Sequence, residues 1–277
     1  MYEIIIPDRM WYLPIVVAAL IACTGNTLAQ ALRKNNQEPR ERWKHAIAGL
    51  LSGALFGTVL QFSGKIPKVG PTIQIIILAY ILLQSTIGIV GVLTGLLNKG
   101  FKGAKLGLKI TLGLLYIDEN SFPRGVLQGF LRHLWEMPQT FVGQTTSHIK
   151  NAASNVTKVE YYGGVTFVIN EQQRYQDGLS LGNYVNVNLW DSIFEDFDTH
   201  IKHDPLLLHE YGHTIDSNIF GWLFLFIIGI PSIHSAMGKG NHQAFWTEKR
   251  ANRKIKRYAK KYNDIAWNAF EEEYPTA

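Results

Sequence analysis

The chain has 277 residues, of which 47% are hydrophobic, and a formal net charge of +5 at pH 7. This length is enough for one large or two modest domains, and the single cysteine, Cys23, excludes an intrachain disulfide. The basic residues flank apolar segments or lie in the last predicted helix, and no nucleic-acid recognition motif accompanies them. We therefore expect no nucleic-acid partner.

Three uncharged stretches fill most of the first 120 residues: Trp11–Leu32, His45–Gly64 and Val69–Asn98. The third is the densest in apolar residues, and about 20 such residues are enough for a helix to cross a bilayer. The second stretch has glycines at four-residue spacing, which predict a smooth face for close helix packing: Gly49, Gly53 and Gly57. The sequence thus predicts a membrane-associated helical region at 1–120. The alternative is a glycine-rich helical hairpin that packs within a soluble protein.

The distribution of basic residues predicts a topology for these stretches. Five Lys or Arg residues lie in segment 33–44 and four in segment 99–109, whereas only Lys65 and Lys68 separate the second stretch from the third. Cytoplasmic loops of membrane proteins contain an excess of Lys and Arg. Three spans would therefore place the N-terminus outside, and both basic segments and the C-terminal domain in the cytoplasm.

A second domain is predicted at 121–277, after a boundary at Ser121-Phe122-Pro123. Apolar residues at three- and four-residue spacings predict a helix at 125–136. The fold class expected for the whole chain is α+β, mainly α, with the hydrophobic helices first.

Strand patterns follow in the second domain. Val159–Tyr162 and Val165–Ile169 are separated by Gly163-Gly164 and predict a hairpin. A turn is predicted at Asp177-Gly178, and a further strand at Tyr184–Asn188.

His209-Glu210-Tyr211-Gly212-His213 contains two metal ligands and a candidate base within five residues. Residues i and i+4 share one face of a helix, so the imidazoles of His209 and His213 can bind one ion. Glu210 lies one step round the helix, beside that ion. The pattern is typical of zinc peptidases, in which two histidines hold Zn²⁺ and the glutamate is the general base for water. The alternative is a surface helix whose histidines share a face by chance.

A fourth apolar stretch, Ser217–Gly238, follows this motif and is interrupted by Pro231. The short apolar run before the proline favours an interfacial hairpin or a buried segment over a complete span. Polar residues on both sides of the motif, such as Asp204 and Asp216, argue against a peptidase within the membrane.

A catalytic zinc site needs a third protein ligand and one open position. Glu248 is the best candidate, at the start of a charged stretch that is predicted to be helical to about Asn268. Asn252 lies four residues later on the same face, where it could hydrogen-bond the outer nitrogen of a ligand histidine. The alternative third ligands are His242 and His234, and His234 is expected to be a buried, hydrogen-bonded histidine.

This motif with a later glutamate resembles the gluzincin branch of zinc metallopeptidases. Three blocks more narrowly resemble a zincin-like domain of small bacterial membrane proteins and RHS-type polymorphic-toxin C-termini: His209–His213, Gly229–Ser232 and Phe245–Asn252. The resemblance covers roughly residues 121–260. It implies that His209, His213 and Glu248 are zinc ligands, that Glu210 is the base, and that a sheet edge holds the substrate peptide. Many gluzincins have an aspartate where this chain has Asn252, which can orient a histidine but adds no charge.

We therefore expect a membrane-associated zinc metallopeptidase that hydrolyses peptide bonds in a protein or peptide substrate. The expected location is a bacterial inner membrane with the catalytic domain in the cytoplasm. Tyr258, Tyr262 and His242 are candidates to stabilise the oxyanion. The alternative function is a non-catalytic membrane or toxin-associated module in which zinc only stabilises the fold.

Overall fold

The computed structural model describes residues 12–33, 39–171, 175–190, 193, 196–262 and 267–276. Most of these residues are helical, and a small four-stranded sheet lies in the second half of the chain, which confirms the expected mainly helical α+β fold. In chain order the elements are α1 (Leu13–Leu32), α2 (Pro39–Ser63), α3 (Gly70–Leu112), α4 (Phe122–Arg132), α5 (Met137–Ala152), β1 (Lys158–Tyr162), β2 (Val165–Asn170), β3 (Asp177–Leu181), β4 (Tyr184–Asn188), α6 (Phe197–His203), α7 (Pro205–Phe220), α8 (Ile230–Met237), α9 (Trp246–Tyr262) and α10 (Trp267–Glu273).

α1 and α2 form an antiparallel hairpin with close backbone contact. A Cβ atom at Gly53 would lie 2.3 Å from the carbonyl oxygen of Ala18, and one at Gly57 would lie 2.6 Å from Cα of Ile15. Any larger residue at either position would force the two helices apart. The predicted smooth glycine face of α2 is therefore confirmed.

α3 reverses direction at Gly100, where φ is 59°. The segment after the reversal packs back on the segment before it, so that a Cβ atom at Gly103 would lie 2.1 Å from the carbonyl oxygen of Gly95. Helical structure therefore continues past Asn98, through the basic segment. Its last lysine, Lys109, is buried, and its Nζ lies 3.1 Å from Oε2 of Glu160.

α1, α3 and residues 43–63 of α2 are each long and apolar enough to cross a membrane. They correspond to the three predicted apolar stretches. Their outward faces are apolar: Leu20 is 56% exposed, Leu55 is 47% exposed and Leu82 is 69% exposed.

The sheet has the strand order β1-β2-β4-β3, in which β2 and β4 are parallel and the other two pairs are antiparallel. The predicted hairpin of β1 and β2 is confirmed, with positive φ at Gly163 and Gly164. The prediction of a turn at Asp177-Gly178 is wrong, because these residues begin β3. Asp177 pairs there with Asn188, whose Nδ2 donates to Oδ1 of Asp177 at 2.5 Å.

Hydrophobic residues fill both sides of the sheet, as the alternation of side chains along a strand requires. The main core lies between one face and α6, α7, α9 and α10, and includes Phe167, Ile169, Val185, Val187, Ile201, Leu207, Tyr211, Ile255 and Phe270. A smaller core lies between the opposite face and the return segment of α3, and includes Val168, Tyr184, Leu106 and Ile110.

The helix predicted at 125–136 is displaced, because α4 begins at Phe122 and ends at Arg132. α5, which was not predicted, begins at Met137 with a proline in its first turn. Arg132 is fully buried, and its guanidinium donates to backbone carbonyl oxygens of Gly113, Leu114, Tyr116 and Gly164. This buried cation ties α4 to the connector after α3 and to the β1–β2 turn.

The fourth apolar stretch bends by 119° between Pro205–Leu223 and Leu225–Met237. The bend begins at Gly221, where φ is 51° and where a Cβ atom would lie 2.2 Å from the ring of Trp135. Glycine is therefore required there both by conformation and by space. The predicted interruption at Pro231 is wrong, because that proline lies in the first turn of α8, where a helix tolerates it.

Candidate metal centre

α7 places two imidazoles side by side on a well-formed helix. Its N-cap is Asp204, whose Oδ1 accepts a hydrogen bond from the backbone N–H of Leu207 at 3.1 Å, and Pro205 follows in the first turn. His209 and His213 lie one turn apart on the buried face, with ring centroids 4.9 Å apart. The local helical structure of α7 therefore positions two of the three candidate ligands.

α9 brings a carboxylate to these histidines. Oε2 of Glu248 lies 3.2 Å from Nε2 of His209 and 2.9 Å from Nε2 of His213. The candidate ligand atoms of the three residues lie within 4.8 Å of one another, and the residues are 1–7% exposed. These three side chains form a group that could hold a metal ion, and it is the one such group of His, Cys, Asp and Glu among the residues that the structure describes.

Two contacts set the distance between α7 and α9. A Cβ atom at Gly212 would lie 2.4 Å from the carbonyl oxygen of Ala251, so only glycine permits this approach of the two helices. Nε of Arg250 donates to Oδ1 of the buried Asp216 at 2.9 Å. Together these contacts place Glu248 opposite the two histidines.

The Glu248 carboxylate and the His213 imidazole favour each other's charged forms. Burial acts to raise the pKa of Glu248, but the hydrogen bonds and charges of His209 and His213 together outweigh it and hold that pKa well below its usual range. Burial acts to lower the pKa of His213, and the hydrogen bond and charge of Glu248 outweigh it, so that this pKa is raised. Glu248 is therefore ionised, and its buried charge can be balanced either by a protonated imidazole or by a metal ion that takes the place of the proton.

Asn252 contacts the outer nitrogen of His209. Its Nδ2 donates to the backbone carbonyl oxygen of Pro275 at 2.8 Å, which identifies the other amide atom as oxygen. That oxygen lies 2.6 Å from Nδ1 of His209 and so accepts the ring N–H. The lone pair of Nε2 is then available to a metal ion. Tyr274 stacks on the same imidazole at 4.6 Å between centroids, which further fixes its orientation.

Glu210 lies outside this group of ligand atoms and faces β3. The hydroxyl of Ser180 donates to Oε2 of Glu210 at 2.6 Å. A Cβ atom at Gly178 would lie 2.2 Å from Oε1 of the same carboxylate, so a side chain there would displace it. Sequence reasoning missed both residues, because the Asp177-Gly178 pair resembled a turn and hid the strand.

The remaining candidates are more distant or are otherwise engaged. Nε2 of His242 lies 3.8 Å from Oε2 of Glu248, and its side chain is 31% exposed. The prediction for His234 is wrong, because it is exposed on α8. The hydroxyl of Tyr258 donates to the carboxylate of Asp118 at 3.2 Å. The side chain of Tyr262 lies outside the described residues.

Comparison of the chain with protein-family models, with curated proteins and with solved structures finds no match. The arrangement itself defines a class of site: two imidazole nitrogens and one carboxylate oxygen in a buried group that could hold a metal ion.

Proposed function

We propose that this protein is a membrane-associated zinc metallopeptidase of the gluzincin type. The observation that supports this most is the convergence of His209, His213 and Glu248 beside a fourth side chain, Glu210, that is not among the candidate ligands. A site that only binds metal does not need that carboxylate. The three helical blocks that resemble the zincin-like domain of bacterial membrane proteins and toxins agree with this proposal.

The donor set fits zinc. Zn²⁺ prefers nitrogen and oxygen ligands in tetrahedral geometry, and catalytic sites use three protein ligands and one open position. His209, His213 and Glu248 would hold the ion, and Asn252 would orient His209. A zinc ion there would supply Lewis acidity for the scissile carbonyl and for water.

In the proposed reaction Glu210 is the general base and then the general acid. Its carboxylate would accept a proton from the attacking water and deliver it to the leaving amine. Ser180 would hold the carboxylate between these steps through its 2.6 Å hydrogen bond. The substrate peptide would pair with β3, which is an edge strand whose residues Asp177 and Leu179 are exposed beside α7.

Hydrolysis of a quenched fluorescent peptide library by the detergent-purified full chain tests this proposal. We expect the zinc-loaded wild type to cleave, and Glu210→Gln to lose about 10²–10⁴-fold in rate, since general-base catalysis contributes that much. Glu272→Gln is the matched control, because Glu272 is an exposed glutamate. Equal zinc content in all three proteins shows that the site is intact. No cleavage by zinc-loaded wild type, or full activity in Glu210→Gln, contradicts the proposal.

Burial favours a second candidate function, a non-catalytic membrane or toxin-associated module with a structural zinc ion. His209 is 3% exposed, Glu210 is 6% exposed and Glu248 is 1% exposed, which is typical of a closed site. Calorimetry separates the two candidates. A peptidase has an open coordination position, so a hydroxamate should raise its unfolding temperature. A structural site should show no hydroxamate shift and should unfold when a chelator removes the zinc.

We further propose that the protein resides in a bacterial inner membrane with the C-terminal domain in the cytoplasm. The two segments richest in Lys and Arg, 33–44 and 99–109, support this orientation through the positive-inside tendency.

A further inference from the structure

The end of α7 and the turns that follow it expose an apolar surface that the metal centre does not use. Between Ile219 and Met237 the sequence contains no Asp, Glu, Lys or Arg. Seven large apolar side chains in this segment are 44–83% exposed, and we call them the apolar surface: Ile219, Trp222, Leu223, Phe226, Ile230, Ile233 and Met237. Monomeric soluble proteins rarely expose a contiguous apolar patch of more than a few hundred Å².

Contacts with α2 show at which level this surface begins, that is, at what distance along the axes of the candidate membrane-spanning helices. Nε1 of Trp222 donates to the carbonyl oxygen of Leu134 at 2.5 Å. The neighbouring His133 lies against Phe56 of α2, with ring centroids 5.6 Å apart. Phe56 is seven residues before the end of α2 at Ser63, or roughly 10 Å along the helix axis.

Contacts with α3 also lead to the interior of a candidate membrane-spanning helix. Nε2 of Gln139 in α5 donates to the carbonyl oxygen of Gly221 at 2.8 Å. The hydroxyl of Tyr80 in α3 donates to the carbonyl oxygen of Met137, at the start of α5, at 3.0 Å. Tyr80 is ten residues into α3 from Gly70, or roughly 15 Å along its axis. The apolar surface therefore begins beside the interior of two candidate membrane-spanning helices and not beside their ends.

The other end of α7 lies near the basic end of α1. Nη2 of Arg33, which directly follows α1, lies 2.5 Å from Oδ2 of Asp198 in α6, the helix that precedes α7. Tyr211, in the middle of α7, lies near the same end of α1, because its hydroxyl donates to the carbonyl oxygen of Gly163, whose N–H donates to the Glu119 carboxylate that pairs with Arg33. Only the last turns of α7 therefore extend from this end towards the level of Phe56 and Tyr80. The 119° bend at Gly221 then turns the chain back.

We propose that residues 219–237 form a re-entrant element whose apolar surface contacts the acyl chains of a lipid bilayer. No Asp, Glu, Lys or Arg side chain would have to enter lipid, and consecutive helical turns pair most of the segment's backbone groups internally. Lipid is the occupant favoured over a partner protein because the surface begins beside the interior of α2 and α3, whose own outward faces are apolar.

The proposal rests on the membrane crossing of α2 and α3 and is independent of peptidase activity. Site-directed spin labelling of the full chain in phosphatidylcholine–phosphatidylglycerol vesicles tests it. The parent is Cys23→Ser, and single cysteines are introduced by Phe226→Cys, Leu82→Cys and Lys260→Cys. Leu82 is a 69% exposed residue of α3 and reports on membrane crossing, whereas the exposed Lys260 of α9 is the water-facing control. Labelled proteins must keep the unfolding temperature of the parent.

Collision rates with oxygen, which concentrates in lipid, and with a water-soluble nickel complex are compared. We expect the oxygen-to-nickel ratio at position 226 to match that at position 82 and to exceed that at position 260 several-fold. A water-like ratio at position 226 overturns the proposal, whatever position 82 reports. Low collision with both reagents at position 226 indicates protein contact, such as a second copy of this chain, and also overturns it. A water-like ratio at position 82 shows separately that the membrane crossing of α3 is wrong.

Discussion

At the scale of single residues, each candidate ligand supplies one atom to a compact group, so the loss of any one leaves only two protein donors. We expect His209→Ala, His213→Ala and Glu248→Ala each to lower the zinc content of the purified protein, as measured by plasma mass spectrometry. His234→Ala is the matched control, because His234 is exposed on α8. Full zinc retention in Glu248→Ala would move the third ligand to His242, whose Nε2 is 3.8 Å from Oε2 of Glu248.

Variants of Asn252 test whether a hydrogen bond to a ligand histidine increases zinc affinity. Its side-chain oxygen accepts the Nδ1 proton of His209 at 2.6 Å, so Asn252→Ala should leave that imidazole poorly oriented. We expect zinc affinity in a chelator competition assay to fall by about 10–100-fold, as is typical for such partners. Asn252→Asp retains an acceptor and should retain most of the affinity. Arg253→Ala is the control, because Arg253 also bonds the C-terminal segment, at Thr276, but does not contact a ligand. Equal affinity in Asn252→Ala and Arg253→Ala would show that the contact is incidental.

At the scale of secondary-structure elements, the approach of α7 to α9 decides whether the site forms. A Cβ atom at Gly212 would lie 2.4 Å from a backbone oxygen, which cannot move without the whole of α9. We expect Gly212→Ala to destabilise the fold by about 1–3 kcal/mol through overpacking and to weaken zinc binding. The matched control is Gly229→Ala, where the nearest atom would be 3.7 Å away. Unchanged unfolding temperature and zinc affinity in Gly212→Ala would contradict this account of the helix contact.

Asp118 connects the segment after α3 to α9 and gives the fold a pH dependence. It accepts from the hydroxyl of Tyr258 at 3.2 Å and lies 3.3 Å from Nε of Arg124. Burial raises the pKa of Asp118 from its ordinary 3.8 to about 6, although the charge of Arg124 opposes the shift. The folded protein holds this proton more tightly than the unfolded chain does. Its stabilising contribution of up to about 3 kcal/mol is therefore complete below about pH 4 and is lost as pH rises through about 6.

Asp118→Asn removes that titration. We expect the unfolding temperature of the variant to change less with pH than that of wild type between about pH 4 and 7, because Asp118 with its raised pKa titrates in this range. Thermal unfolding in detergent at matched ionic strength measures it, with the exposed Glu272→Gln as the control that keeps the wild-type slope. Identical slopes in Asp118→Asn and wild type would assign the pH dependence to other groups.

At the scale of the whole molecule, three apolar helices with exposed apolar faces predict integral membrane behaviour. We expect the full chain to resist carbonate extraction, because hydrocarbon contact and not charge holds such helices in a bilayer. A tag after Ala277 should be protected from protease added outside intact cells, and a tag before Met1 should be cleaved. Recovery of the whole protein in the soluble fraction without detergent would contradict the spans. Protection of the tag before Met1 together with cleavage of the tag after Ala277 would contradict the orientation alone.

The sequence by itself determined the features that depend on neighbours in the chain. The i,i+4 spacing placed His209 and His213 on one helical face, and the Gly163-Gly164 pair marked the turn between β1 and β2. Long uncharged stretches and four-residue glycine spacing identified the helices that could cross a membrane and the close packing of α1 on α2. These features succeed because helical and strand periods, turn residues and apolar runs act over a few residues.

Only the tertiary structure decided how the site is completed. Glu248 reaches His213 across 35 residues because Gly212 and the Asp216–Arg250 pair let α9 approach α7. Ser180 reaches Glu210 because pairing with β4 makes a strand of a segment whose Asp177-Gly178 pair locally resembles a turn. The 119° bend begins at Gly221, which packs against Trp135, and not at Pro231. Each of these depends on contacts between residues far apart in the chain, which compete with local preference and override it when they bury more surface or pair more hydrogen bonds.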